Sequence, residues 1–221
     1  MCPRPSDATR DVELNLLRTA RAVIGLDEVG RGALAGPVSV GAAIIDDAVG
    51  PAPAGLTDSK LLTPTRRSAL VEPVRAWARA HAVGHASPAE IDEVGIIAAL
   101  RLAAVRAMRQ ALAGSGVELP ECTVLLDGSH NWLTRPADLL TEQDDVDALK
   151  VTTRVKADRD CAVVAAASIL AKVERDRLMS EVVDPGYGFA EHKGYGSAAH
   201  RDAIARLGPG VWHRRSWKLL G

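Results

Sequence analysis

Two adjacent carboxylates, Asp27 and Glu28, follow the apolar run AVIGL (22–26) and precede a Gly-Arg-Gly turn at 30–32. Paired acidic side chains at a strand end supply the oxygen ligands that hard divalent cations prefer. A glycine-flanked arginine beside them offers bare backbone N–H groups and a guanidinium, which bind anions such as phosphate. Together the two features indicate metal-assisted chemistry on a phosphodiester.

Two further carboxylates follow predicted strands in the same way. Asp127 ends the apolar segment 122–127, and Asp158 comes just after the β-branched segment 149–156. Strand ends lie along one rim of a sheet, where ligands of α/β folds usually bind. Carboxylates gathered there repel one another unless cations lie between them, and two divalent ions about 3.5–4 Å apart would meet that need. Asp160 is so near Asp158 in the chain that the pattern leaves the choice of the fourth acid open.

The glycine-rich turn has a rival interpretation. With Gly36 it fits a loose G-x-G-x-x-x-G pattern, which imitates a dinucleotide-binding fingerprint. Asp27 and Glu28 argue against that site, because a pyrophosphate would lie beside two anionic groups. Pro37 and the short spacing to the next strand leave no room for a crossover helix. A nucleic-acid-binding module without catalysis remains a second alternative, although it would have no need of clustered acids.

Composition favours a single sizeable domain with a small appended one, because the chain has 221 residues of which 47% are apolar. Lys and Arg number 27 against 28 Asp and Glu, so any nucleic-acid contact must come from local basic patches. The three cysteines form no C-x-x-C pair, which fits a reducing compartment. The chain shows neither a membrane-length apolar stretch nor the apolar core of a signal peptide, so we expect a soluble, cytoplasmic protein.

Hydrophobic periodicity and capping signals predict the elements that must position these groups. Strands at 21–27 and 38–46 lie too close for a parallel crossover, so we expect them to pair antiparallel. Further strands are predicted near 82–86, at 122–127 and at 149–156, and helices at 64–82, from 88 with an interruption at Gly95 before 96–113, at 160–183 and at 198–207. This order favours an α/β fold with a mixed sheet flanked by helices and a helical C-terminal extension.

Aromatic residues are concentrated near the C-terminus. The chain has four tryptophans, two tyrosines and one phenylalanine, and five of these residues lie between 187 and 217, among several basic residues. Basic groups neutralise phosphates, and aromatic rings stack on sugars or bases. We expect Trp212 and Trp217 to pack the extension onto the core. Tyr195, which lies between two glycines, has instead the setting of a ring presented to a ligand.

Two polar segments complete the pattern. Thr57-Asp58-Ser59-Lys60 offers a hydroxyl, an amine and backbone donors close together, as a phosphate-binding loop does. The segment 138–147 has five acids and no base, and it predicts a solvated loop.

These segments, taken together and in order, resemble the ribonuclease HII family, and the resemblance covers nearly everything from about 22 to 218. The matching segments are GLDEVGRGALAGPV (25–38), LTDSKLL (56–62), EIDEVGI (90–96), LLDG (125–128), VKADRD (155–160), AAASILAKVERD (165–176), YGFAEHKGYGSAAH (187–200) and HRRSW (213–217). The resemblance implies a ribonuclease H-like catalytic domain at 21–183, preceded by an N-terminal segment at 1–20. It also implies that 184–221 forms a helical substrate-binding extension.

The activity that the resemblance implies is metal-dependent hydrolysis of the RNA strand of RNA–DNA hybrids. It includes incision 5′ to single ribonucleotides embedded in duplex DNA, which leaves 5′-phosphate and 3′-hydroxyl ends. The cofactor would be Mn²⁺ or Mg²⁺, with two ions acting in catalysis. We further expect a monomer with no membrane partner, whose basic C-terminal segment could dock a DNA clamp.

The resemblance also assigns roles to individual residues. The catalytic and metal-binding acids would be Asp27, Glu28, Asp127 and Asp158. The glycine-arginine-glycine turn would read the ribose 2′-hydroxyl and the flanking phosphate, and the tyrosine would lie against the next sugar. The implied substrate-binding residues are Gly30, Arg31, Gly32, Ser59, Lys60, Ser168, Lys172, Lys193 and Tyr195.

Overall fold

A mixed five-stranded sheet with the strand order β3-β2-β1-β4-β5 forms the centre of the protein. The computed structural model describes residues 7–136 and 142–220. The strands are β1 (Ala22–Val29), β2 (Val38–Ile45), β3 (Ala80–Ala86), β4 (Cys122–Asp127) and β5 (Lys150–Arg154). The helices are α1 (Asp11–Leu16), α2 (Pro64–Trp77), α3 (Pro88–Leu112), α4 (Ala157–Asp160), α5 (Ala162–Glu181), α6 (Phe189–His192) and α7 (Ala198–Leu207).

Strand pairing decides where the acidic residues meet. The β1 and β2 strands are antiparallel, which confirms the predicted pair, whereas β4 is parallel to both β1 and β5. In the β1–β4 pair Leu26 lies opposite Leu126, so Asp27 and Asp127 follow at the same level. Because parallel neighbours end at the same edge of a sheet, these two carboxylates share one rim.

Helices cover both faces of the sheet. One apolar core lies between the sheet and α3, and a second lies between the sheet and α5 with α2. A Cβ on Gly41 would lie 2.2 Å from the carbonyl oxygen of Ala167, and one on Gly84 would lie 2.1 Å from that of Ala103. Glycine in the strands and alanine in the helices therefore let backbones pack almost directly against each other.

Several predicted boundaries differ in the structure. The strand predicted at 149–156 is shorter, at 150–154, and the helix predicted at 160–183 runs from 162 to 181 after the separate α4. The β1 strand continues through both acids to Val29, and α2 ends at Trp77 instead of near Ala82. After that helix the chain pairs at once with β2, where Ala80 lies opposite Ile44. Pairing with β2 along the whole of β3 overrides the helical propensity of its alanines. This pairing is a tertiary effect, which the local sequence does not predict.

The long helix α3 begins and bends where the sequence predicts. Ser87 and Glu90 form a reciprocal capping box, which satisfies two backbone N–H groups at its start. Gly95 has a φ of +78°, a left-handed conformation that interrupts the helix. In the described parts of the chain, no helix is both long enough and apolar enough to cross a membrane.

The described part of the N-terminal segment packs on the sheet domain through α1. Glu13 is fully buried, and its Oε1 accepts the backbone N–H of Val163 at 2.8 Å, in the first turn of α5. Burial raises the pKa of this carboxyl. A carboxylate at a helix start satisfies an otherwise unpaired backbone donor, so α1 fastens the N-terminal end of α5.

The acidic segment is a loop where it is described, as predicted, with Glu142, Gln143 and Asp145 exposed, but it is less solvated than expected at Asp147. Asp147 accepts hydrogen bonds from the guanidinium of Arg101, at 3.1 Å, and from that of Arg135, at 2.7 Å. Asp144 also pairs with Arg101, at 2.7 Å. The arginines that neutralise these acids lie outside the segment, one of them on α3. Residues 138–141 lie outside the described part of the chain.

The C-terminal extension has its own small apolar core. It includes Tyr187, Phe189 and Ile204, and it packs against Leu34 in the loop after β1. Trp212 and Trp217 pack against this cluster, and Trp217 also contacts the main core, which confirms their predicted packing role. The extension thereby reaches the loop that carries the glycine-rich turn.

Candidate active site

Three carboxylates from different elements converge at the rim of the sheet. Asp27 comes from β1, Asp127 ends β4 and Asp158 lies in α4. One oxygen of each lies within 4.8 Å of the others. Asp27 and Asp158 are only 4% and 5% exposed. Charged groups are rarely buried together unless a cation or hydrogen bonds compensate them, so this cluster has the character of a metal site.

Asp127 also holds the chain that carries its neighbour. Its Oδ1 accepts the backbone N–H of Ala157 at 2.8 Å and that of Asp158 at 3.4 Å. The strand end is thereby tied to the first turn of α4. The carboxyl group of Asp158 is directed to the cluster by this backbone contact and not by a long flexible loop.

The fourth acid expected at the site, Glu28, lies beside the cluster of three. Its Oε1 is 3.4 Å from Nη1 of Arg31, so it pairs with the guanidinium of the glycine-rich turn. Burial raises the pKa of Glu28, while Arg31 opposes that shift. Glu28 thus connects the carboxylate cluster with the turn expected to bind anions.

The electrostatics of the cluster favour the binding of a cation. Burial raises the pKa of Asp27 well above its usual range, and the neighbouring carboxylates add to the shift. Burial, followed by the charge of Asp127, raises the pKa of Asp158 to about 6. The ammonium of Lys60 lies 3.6 Å from Asp158, a partial compensation. Carboxylates with raised pKa values gain most from a divalent cation, which restores their charged form.

The structure separates the two candidates for the last acid. Asp160 lies outside the cluster and pairs with Arg159 at 2.8 Å and with Arg154 at 3.6 Å. Its hydrogen bond with Arg159 holds the pKa of Asp160 below its usual value. Asp158 is buried among acids, whereas Asp160 is already neutralised by arginines, so the geometry favours Asp158.

A cleft of about 350 Å³ opens beside the carboxylates. Most of the expected substrate-binding side chains line it, together with two of the acids. The lining residues are Asp27, Glu28, Val29, Ser59, Lys60, Ser168, Lys172 and Tyr195. The glycine-arginine-glycine residues 30–32 are not among them and lie at the rim. Lys193 is also absent from the lining, because its ammonium lies in an adjacent groove, where it donates to Ser180 Oγ and to the carbonyl of Ala190.

The floor of the cleft is rigidly built. The hydroxyl of Ser168 on α5 donates to Ser59 Oγ at 2.9 Å, and both side chains are buried. Asp58 accepts the backbone N–H of Lys60 at 2.8 Å, which shapes the polar loop. Lys172 pairs with Asp176 at 2.6 Å, so its ammonium is held at the edge of the cleft. These contacts leave Lys60, whose side chain is 66% exposed, as the cation most open to a ligand.

The glycine-rich turn and Tyr195, both expected to contact a substrate, meet beside the cleft. Tyr195 Oη accepts the backbone N–H of Gly30 at 3.1 Å, and the ring of Tyr195 is 37% exposed. Arg31 and Gly32 are exposed at the rim. The structure therefore brings the glycine-rich turn and the presented tyrosine to the same side of the carboxylates.

Two residues of this region were missed from the sequence. Arg175 and Arg214 are fully buried, and their guanidiniums lie directly behind the glycine-rich turn. Charged residues in a sequence indicate a solvated surface, and neither local segment contradicts that expectation. The one available signal was Gly30, which is glycine because a Cβ there would lie 2.0 Å from Nε of Arg175.

Known proteins share both this sequence and this fold. A family model described as Ribonuclease HII matches residues 24–220. A Ribonuclease HII of Streptomyces avermitilis is 46% identical over 216 residues, which cover 96% of this chain and 84% of that protein. The ribonuclease H2 structure from Pyrococcus horikoshii matches with a TM-score of 0.61 at 25% identity, covering 90% of this chain and 94% of that one.

A further solved structure that matches is the PCNA:RNase HII complex from Archaeoglobus fulgidus. Its TM-score is 0.60 at 27% identity, with 90% of this chain and 95% of that chain covered. The fold is therefore ribonuclease H-like, as the resemblance of the sequence implied. From the family model and the curated relatives, the chain belongs to the ribonuclease HII family and is a ribonuclease H endonuclease.

Proposed function

We propose that this endonuclease is metal-dependent, hydrolyses the RNA strand of RNA–DNA hybrids, and cuts 5′ to single ribonucleotides embedded in duplex DNA. The products would be 5′-phosphate and 3′-hydroxyl ends. The observation that carries the proposal is the convergence of Asp27, Asp127 and Asp158 within 4.8 Å, beside a cleft that is lined by Tyr195 and adjoins the glycine-rich turn.

The residues present fit divalent cations. Three carboxylate oxygens lie close enough to share an ion, and burial raises the pKa of Asp27 and of Asp158. All-oxygen donor sets suit Mg²⁺ and Mn²⁺. Asp27, Asp127 and Asp158 would hold the metal with Glu28 beside them. The chemistry that two such ions would supply when bound is activation of a water and stabilisation of the departing 3′-oxygen.

The glycine-rich turn would recognise the ribonucleotide. The 2′-hydroxyl is the group by which a protein distinguishes RNA from DNA at one nucleotide. Gly32 supports this role, because a Cβ built there meets no atom within 4 Å and its φ is not in the left-handed region. The free protein thus gives no steric reason for glycine at this position, whereas close approach of a substrate to the backbone would provide one.

The other side chains of the cleft would position the nucleic acid. The ring of Tyr195 is partly exposed and is held beside the turn by its bond to Gly30, so it would lie against a sugar of the bound strand. Aromatic contacts of this kind tolerate any base. Ser59, Lys60, Ser168 and Lys172 surround the same space and would make supporting phosphate or site contacts. Lys193, in the adjacent groove, would contact the backbone farther from the cut.

The test is a strand-cleavage assay on a DNA duplex with one ribonucleotide, in Mn²⁺, in Mg²⁺ or in chelator. We expect a single metal-dependent cut on the 5′ side of the ribonucleotide. Asp27→Asn should abolish it and leave the fold intact, whereas Asp47→Asn, at an exposed acid, should not change it. Cleavage that persists in Asp27→Asn, or in chelator, would refute the proposed metal site.

Cellular context follows as part of the same proposal. We propose a cytoplasmic monomer. The thiols of Cys122 and Cys161 are free and buried, and burial raises their pKa values to about 11 and about 12, which fits a reducing compartment. The relative from Archaeoglobus fulgidus binds PCNA. By analogy, the basic C-terminal segment of this chain would dock a DNA clamp, which size-exclusion chromatography of the two proteins together would test.

A further inference from the structure

Two buried arginines lie behind the glycine-rich turn. Arg175 on α5 and Arg214 in the C-terminal extension are both 0% exposed. Within residues 7–136 and 142–220, neither guanidinium forms a salt bridge. Burial lowers the pKa of Arg175, and it lowers that of Arg214 to about 9. A buried cation without a carboxylate is destabilising unless hydrogen bonds replace its water, so the acceptors that surround these two groups must be well placed.

Arg214 holds the turn itself. Its guanidinium donates to the carbonyl oxygens of Gly30 at 2.6 Å, of Arg31 at 2.8 Å and of Gly36 at 3.1 Å. All three acceptors lie in the backbone of one loop, whose Gly30 N–H donates to Tyr195 and whose Arg31 side chain pairs with Glu28. The planar fork of an arginine fixes the orientation of each peptide group that it binds.

Arg175 binds the same loop and connects it with the C-terminal extension. It donates to the carbonyl oxygens of Ala35 at 3.1 Å and of Pro37 at 2.9 Å. A third bond, at 2.9 Å, goes to the carbonyl of Lys193, next to the segment that presents the tyrosine. Its guanidinium carbon also lies 5.5 Å from the ring centroid of Tyr195. One side chain therefore contacts both recognition elements.

Three glycines of these segments lie where a side chain would overlap a neighbouring group. A Cβ on Gly30 would lie 2.0 Å from Nε of Arg175, and one on Gly36 would lie 2.3 Å from Sδ of Met179. A Cβ on Gly194 would lie 2.3 Å from the carbonyl oxygen of Ala35. The glycines thus make room for the buried guanidiniums and for the close approach of the two segments, and only Gly32 in the turn is left open to a ligand.

We propose that Arg175 and Arg214 are positioning residues, which orient the 30–32 backbone and Tyr195 for recognition of the ribonucleotide. The proposal rests on the proposed function, because it concerns the same substrate. It adds two side chains that touch neither the substrate nor a metal. Lysine cannot replace either of them, because its ammonium has three donors on one atom and cannot span three carbonyl oxygens in fixed directions.

The test compares Arg214→Lys with Arg101→Lys. Arg101 is a matched control, since it is also largely buried and donates to a backbone carbonyl, that of Leu133, but lies on α3 at the acidic segment. Both variants should lose thermal stability. We expect kcat/KM on the single-ribonucleotide duplex to fall about 100-fold in Arg214→Lys, mainly through kcat, because a small misplacement of the turn misaligns the reacting bond. It should stay unchanged in Arg101→Lys.

A second measurement separates this proposal from the proposed function. Hydrogen exchange of the free protein should quicken in peptides that cover 30–37 in Arg214→Lys and not in Arg101→Lys, whatever the activity. A wild-type protein that cuts no ribonucleotide would refute the proposed function. The exchange result would still test whether Arg214 holds the backbone of the 30–37 loop. If Arg214→Lys does not fold, Arg175→Lys takes its place. Unchanged exchange, or equal losses of kcat/KM in the variant and the control, would overturn the positioning role.

Discussion

The backbone N–H of Gly30 donates to the phenol oxygen of Tyr195 across 3.1 Å. The two segments proposed to recognise the ribonucleotide therefore touch each other before any substrate binds. The hydrogen bond satisfies an N–H that would otherwise face a partly buried cleft, and it fixes the ring beside the turn. The glycine-rich turn and Tyr195 are therefore held together in the free protein, by this hydrogen bond and by the contacts of Arg175.

The first prediction divides the role of Tyr195 between its ring and its hydroxyl. Tyr195→Phe keeps the ring and loses the bond to Gly30, whereas Tyr195→Ala loses both. Since aromatic stacking contributes about 1–3 kcal/mol, we expect Tyr195→Ala to lower kcat/KM on a lone ribonucleotide by about tenfold to hundredfold. Tyr195→Phe should cause a smaller loss. Steady-state kinetics on the single-ribonucleotide duplex measures both.

A matched control for the hydroxyl is Tyr187→Phe. The hydroxyl of Tyr187 donates to the carbonyl of Gly208 at 2.7 Å, within the extension and away from the cleft. This variant should lose some stability with unchanged cleavage. Equal activity in wild type and Tyr195→Ala would remove the tyrosine from the site.

The second prediction concerns Gly32, which nothing in the free protein requires to be glycine. Gly32→Ala should fold with the wild-type melting temperature, because the added methyl group meets open space. It should raise KM about tenfold, the effect of a clash of roughly 1.4 kcal/mol with an approaching substrate. Gly50→Ala is the control, since Gly50 is also exposed, with open space at its Cβ. A normal KM in Gly32→Ala would show that no ligand approaches the turn there.

Much of the site was predictable because it depends on strand ends. Asp27 and Asp127 belong to apolar strands, and strand-end acids are expected along one rim of a sheet. The parallel β1–β4 pairing that brings these two together is known only from the structure. The antiparallel β1–β2 pair followed from its short connection. Each of these inferences uses local pattern and chain length alone, which a single sequence carries.

The missed features depend instead on contacts between distant segments. Arg175 and Arg214 bind backbone carbonyls that lie more than one hundred residues away along the chain, and nothing in their own segments marks them as buried. Asp147 is likewise paired with Arg101 on α3, so the side chain of this acid is buried although its segment is a loop with exposed residues. From sequence alone, the exposure of a charged residue is inferred from its neighbours in the chain. In the fold, the same residue can pair with a group that is distant in the chain.

The third prediction tests the choice between Asp158 and Asp160. The pKa of Asp158 is raised to about 6, above the 3.8 of an unfolded aspartate, so its ionised form destabilises the metal-free fold at neutral pH. Asp158→Asn should therefore melt at a higher temperature in chelator, show no further rise with Mn²⁺, and cut no substrate. Thermal melts with and without Mn²⁺, together with the cleavage assay, measure this.

Asp160→Asn provides the comparison. Because Asp160 pairs with Arg159 and Arg154, its loss should leave both the Mn²⁺-induced rise in melting temperature and the cleavage in place. If Asp160→Asn abolished cleavage and Asp158→Asn did not, the assignment of the fourth acid would be reversed.

The fourth prediction concerns a buried pair of histidines in the extension. The N–H of Gly210 donates to Nδ1 of His213 at 3.0 Å, so the proton of His213 is on Nε2, which lies 3.0 Å from Nε2 of His200. His200 then carries its proton on Nδ1, 2.9 Å from the carbonyl oxygen of Tyr195. These tautomers follow from the fixed backbone partners. A second proton on either ring would place two N–H groups against each other.

Burial lowers the pKa of His200 to about 4 and also lowers that of His213, both from 6.5. Because the unfolded chain binds protons at a higher pH than the folded one, the stabilisation is complete above pH 6.5 and is lost as pH falls toward about 4. Urea unfolding across this range should show a free energy of unfolding that falls less steeply in His200→Gln than in wild type. In His130→Gln, at an exposed histidine, the wild-type slope should remain. A wild-type slope in His200→Gln would mean that this histidine pair does not set the acid sensitivity of the fold.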